Sequence, residues 1–100
     1  MSQQHLYEGR PGGAVTVDGE PLPLRLDLFN HSPTGFAWGY HGSGPAQLAL
    51  AIFAHEFGDD PDAHPAHYQV FKSAVIACLP GDVPWRLSSA EIREAVRRCA

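Results

Sequence analysis

The chain has 100 residues, of which 44% are hydrophobic and 18% charged, and its formal net charge is −4. That length and composition fit one folded domain over residues 1–100 with a real core, and exclude a disordered chain. The acidic balance argues against a binder of duplex nucleic acid, which needs a surface that neutralises phosphates.

The first element is a short apolar-aromatic stretch around Leu6 and Tyr7, closed by Gly9 and the turn Pro11-Gly12-Gly13. Ala14-Val15-Thr16-Val17 reads as a strand. Asp18-Gly19 after it is a strong hairpin signal, because both residues tolerate positive φ. Leu22, Leu24, Leu26 and Leu28 recur every second residue and predict a returning strand with one buried face. Pro23 suits its start or a sheet edge.

Residues 30–44 show no simple period. Pro45 then opens a helix, with Gly44 as its cap and Gln47 at the third helical position, able to reach back to the cap. The run Ala46 to Ala54 is apolar almost all round, so this helix is expected to be buried on most faces and to end at Gly58. An acidic, histidine-containing loop follows to His67, in which Asp62 or His64 caps the next helix. That helix places Tyr68, Phe71, Val75, Cys78 and Leu79 on one stripe before Pro80-Gly81. Val83-Pro84-Trp85 reads as an extended connector anchored by Trp85. Ser88 and Glu91 form a capping box for a last helix that buries Ile92, Ala95, Val96 and Cys99. Strands gathered before helices predict an α+β fold: a small antiparallel three-stranded meander packed against about three helices.

Arg93, Arg97 and Arg98 cluster at the end of the last helix, where they favour its dipole and solvate one face. No apolar run is long enough to span a membrane, and no signal peptide is expected. Cys78 and Cys99 lack a C-x-x-C partner and read as free thiols filling the core of a cytoplasmic protein.

Candidate chemistry concentrates in residues 31–47. Phe36, Trp38 and Tyr40 are spaced by two, so an extended backbone there would turn three rings to one side as a stacking platform. Gly42-Ser43-Gly44 runs into a helix start, whose free N–H groups and dipole favour a phosphate or carboxylate. His31, Ser32, Thr34 and His41 add polar groups, and Gln47 is assigned to the anion with Gly42, Ser43 and Gly44. The bland alternative is that the glycines make turns and the rings are core.

Familiar signatures fail. A P-loop needs Lys after Gly44, where Pro45 stands, and a nucleophile elbow around Ser43 needs glycines where His41 and Pro45 stand. A dinucleotide fingerprint begun at Gly42 meets Gln47 in place of its last glycine. His55-Glu56 lacks the second histidine of a metalloprotease helix. The spacing of Asp59, Asp60, Asp62, His64 and His67 matches no standard metal site. No cofactor, metal or catalytic residue is therefore assigned.

The stretch H-S-P-T-G-F-x-W-G-Y-x-G-S-G-P-A-Q-L-A-L-A-I, over residues 31–52, resembles a family of small phage, plasmid and bacterial proteins of unknown function. Tyr7, Gly9, Arg10, Val17, Gly19, the leucine-rich strand, Tyr68, Phe71, Lys72 and Trp85 extend the likeness. The resemblance implies a mobile-element setting, in which small proteins counter host defences, and implies no activity. The leading expectation is a non-enzymatic binder of a small nucleotide-like anion, as a homodimer or larger. The alternatives are an inhibitor or adaptor of a host protein, meeting it through Asp59–Asp62, and a small hydrolase-type enzyme using His31 or His41 as base.

Overall fold

The computed structural model describes residues 4–58 and 67–99. Strand β1 (Leu6–Arg10) turns through Pro11-Gly12-Gly13 into β2 (Ala14–Val17), with Tyr7 opposite Val17 and Gly9 opposite Val15. Those four residues face the core, while Glu8 and Thr16 alternate outward. Asp18 and Gly19, at φ 52° and 84°, make the tight loop to β3 (Glu20–Pro21).

The sheet among the described residues has four strands, in the order β3-β2-β1-β4, not the expected three. The fourth is β4 (Trp85–Ser88), which pairs antiparallel with β1 across nearly the whole chain. Trp85 does anchor this segment: its indole lies over Gly9, where an added Cβ would stand 2.2 Å from the ring.

The leucine-rich stretch is not a strand. Leu22 still donates its N–H to Val15 and is buried, but pairing stops there. Pro23 has no N–H to extend a ladder, and Arg25 sits at φ 59°, which turns the chain. The Leu28 N–H bonds back to the Arg25 carbonyl, and Leu26 is exposed.

Helix α1 (Ser43–Phe57) starts two residues before Pro45, with Gly42 as its N-cap. Its centre, Leu48 to Phe53, is wholly buried, and Phe53 packs against Phe57 and against Phe71 of α2 (Tyr68–Ala74). The cap of α2 is His67, whose Nδ1 accepts from the Gln69 N–H. Asp62 and His64 lie outside the described residues.

Helix α2 breaks at Val75, and a 3-10 turn, Ile76–Cys78, follows. The tighter turn rotates the stripe, so Ile76 is buried while Cys78 is exposed, contrary to its reading as core filler. Helix α3 (Ser89–Cys99) carries the capping box, Ser88 Oγ accepting from the Glu91 N–H and the Glu91 carboxylate from the Ser88 N–H. Ile92 and Val96 are its buried stripe; the side chain of Cys99 lies outside those described. Among the described residues no helix is long and apolar enough to cross a membrane.

Candidate functional site

Gln47, one turn into α1, is completely buried and uses its whole carboxamide. Its Oε1 accepts from the N–H groups of His31 and Ser32, at 2.7 and 3.0 Å. Its Nε2 donates to the carbonyls of Leu24 and Phe29, at 2.6 and 3.1 Å. The expected roles in a helix cap and an anion contact are corrected: both ends of the amide are consumed in clamping residues 24–32 onto the helix.

That clamp builds one wall of an open cleft of about 540 Å³ at the start of α1, lined by Ser32, Thr34, Phe36, Tyr40, Ser43 and Gly44 among others. Helical geometry leaves the N–H groups of Ser43 and Gly44 without an intrahelical acceptor, and Pro45 has none to offer. The first intrahelical bond runs from the Ala46 N–H to the Gly42 carbonyl. The Gly42 cap provides no side-chain acceptor, and the first turn contains no acidic residue. Gly44 is also required by packing, because a Cβ there would stand 2.5 Å from the Ala37 methyl. Ser32 Oγ donates to the Gly35 carbonyl, which fixes the opposite lip.

The three aromatic residues do not form one platform. Trp38 is 7% exposed, donates its Nε1–H to the Pro80 carbonyl and meets Trp85 edge-on. Gly39, at φ 83°, turns the chain after it, so Tyr40 emerges on the surface, 52% exposed. Phe36 is half-buried against the core and still borders the cleft. Tyr40 and Phe36 thus reach the cleft, and Trp38 belongs to the core.

His31 Nε2 lies 2.8 Å from the Tyr68 hydroxyl, and its ring stacks on Phe29. Burial lowers its pKa below 6.5, and the nearby Lys72 charge adds to the shift. His41 is exposed.

A second polar cluster, at the other end of α1, escaped sequence reasoning. Glu56 is buried and accepts from Tyr7, Ser89 and Arg93, at 2.9, 2.7 and 2.8 Å. The single Tyr7 phenol proton goes to Glu56, so His55 Nδ1, 2.8 Å away, is the donor to Tyr7. His5 touches His55 edge-on and pairs with Asp18 at 2.6 Å. Burial raises the Tyr7 pKa strongly and Glu56 adds to it, while burial lowers that of His55. The readable signal was Glu56 itself, a carboxylate in an otherwise apolar helix. The cluster ties β1, α1 and α3 together. Among the described residues no three His, Cys, Asp or Glu are placed to hold a metal. Asp59, Asp60, Asp62 and His64 lie outside them.

This α+β chain, with its cleft at a buried helix start, belongs to DUF6166, a family of unknown function whose model matches residues 7–98. No curated protein and no solved structure matches it.

Proposed function

We propose that the chain is a non-catalytic cytoplasmic binder of a small nucleotide-like anion, held in the cleft at the start of α1. The observation that supports this reading most is the uncapped, acid-free first turn of a rigid buried helix opening into that cleft. The N–H groups of Ser43 and Gly44, with the Ser43 hydroxyl, would meet the anion. Thr34, Phe36 and Tyr40 border the rest of the ligand. Gln47 acts as a positioning residue, and Trp38 supports the wall from the core. A homodimer would close the cleft's open side. In the mobile-element setting implied by the sequence resemblance, such binding would sequester a nucleotide signal used in host defence.

A thermal-shift screen against inorganic phosphate, pyrophosphate and mono-, di- and cyclic nucleotides tests the reading. A ligand at about 100 times its Kd stabilises the fold by roughly 2.7 kcal/mol, a shift of several degrees for a domain this size. A flat screen contradicts the proposal and favours a protein partner, captured by pull-down from host lysate.

A further inference from the structure

Phe29 is 56% exposed, yet its orientation is fixed. One face stacks on His31, at a centroid distance of 4.4 Å and an interplanar angle of 29°. His31 meets Tyr68, and Tyr68 stacks on His67 at 4.4 Å and 30°. Two stacked pairs, Phe29–His31 and Tyr68–His67, thus meet edge-on and form a ring cluster from the exposed Phe29 to the cap of α2.

The cluster is anchored at several points. His31 Nε2 is bonded to the Tyr68 hydroxyl, and Gln47 holds the Phe29 carbonyl and the His31 N–H. The same Gln47 holds Ser32, which lines the cleft, so the ring cluster and the cleft are fixed to one side chain. Lys72 lies within electrostatic reach of His31 and gives the neighbourhood a positive charge. An exposed apolar ring costs hydration free energy, and one held rigidly is already ordered for stacking.

We infer that the open face of Phe29 is the stacking site for a nucleobase, as the outer ring of a cluster that Gln47 joins to the cleft wall. This inference rests on the cleft reading for the position of the phosphate, and it assigns the base to Phe29, with Phe36 and Tyr40 bordering the part of the ligand between base and phosphate. Stacking of this kind is sequence-tolerant and electrostatically compatible with Lys72.

The test is an NMR titration of the full chain with three kinds of probe: the four common nucleosides, ribose 5-phosphate, and AMP. Nucleosides are expected to move the Phe29 and His31 ring resonances. AMP is expected to bind about tenfold or more tighter than ribose 5-phosphate, as one base–aromatic stack would give. Phe29→Ala, at an exposed position that leaves the core intact, should bring AMP down to the ribose 5-phosphate level, and Phe29→Tyr should restore the difference. If no nucleoside moves these resonances, or if AMP and ribose 5-phosphate bind wild type equally, the inference is overturned, whatever ribose 5-phosphate does at Ser43. If ribose 5-phosphate leaves Ser43 unmoved while nucleosides still move Phe29, the cleft reading fails and the stacking site stands.

Discussion

The Gln47 carboxamide accepts the His31 N–H at 2.7 Å, sixteen residues back along the chain. With its three companion bonds, that contact fixes the wall of the cleft to the helix whose N-terminus the cleft exposes. Gln47→Leu keeps the volume and strands two amides and two carbonyls in the interior. Each buried group left unmade costs about 1–3 kcal/mol, so a loss of about 3 kcal/mol or more is expected in urea denaturation. Retention of wild-type stability would show that water or repacking replaces the clamp.

Ser43→Asp separates stability from binding. A carboxylate in the first turn of α1 interacts favourably with the helix dipole, by about 0.3–1 kcal/mol. It also places negative charge where the proposed anion sits. The variant is expected to melt at or above the wild-type temperature and to lose phosphate and nucleotide affinity. Unchanged affinity in this variant would move the anion elsewhere.

Trp38 and Tyr40 should behave oppositely despite their regular spacing. Trp38→Ala empties a core site beside Trp85 and is expected to cost about 3–5 kcal/mol. Tyr40→Ala, at an exposed position, should change stability by less than about 0.5 kcal/mol and weaken ligand binding. Denaturation curves and titrations on both variants check this.

Stability should decline with acid in a defined window. Burial holds His31 and His55 below 6.5, the ordinary histidine value and that of the unfolded chain. Above 6.5 both states carry neutral rings and the pair contributes nothing. As pH falls through 6.5 the unfolded chain takes up protons first, so folding weakens until the folded-state values are passed. At the alkaline end the sign reverses. Tyr7 keeps its proton in the fold well above 10.0, so stability falls as pH rises past that value. Urea denaturation from about pH 8 to about pH 5 reads the acid limb, and His31→Gln and His55→Gln should each flatten it.

What the sequence made legible was local. The Asp18-Gly19 hairpin, the Ser88–Glu91 capping box and the buried faces of α1 and α3 each depend on residues a few positions apart. The failures are non-local or come from backbone geometry. β4 is four residues long, and its partner lies at the other end of the chain. Leu22 to Leu28 alternates without pairing because Pro23 and the positive φ of Arg25 end the ladder. Gly39 breaks the extended geometry on which the aromatic platform depended. Gln47 sits at a position suited to capping, and its partners, 15 to 23 residues back, carry no sequence signal. The segment 31–47 does line the cleft, but several of its special residues hold that cleft together instead of facing it.

Anion binding at the start of α1 is read most directly in the amide NMR spectrum of the wild-type chain titrated with inorganic phosphate and then with AMP. Anion binding at the cleft gives saturable shifts of the Ser43 and Gly44 N–H resonances, competitive between the two ligands and absent in Ser43→Asp. Saturable binding that leaves both amides unmoved, or no binding by either ligand, would contradict it.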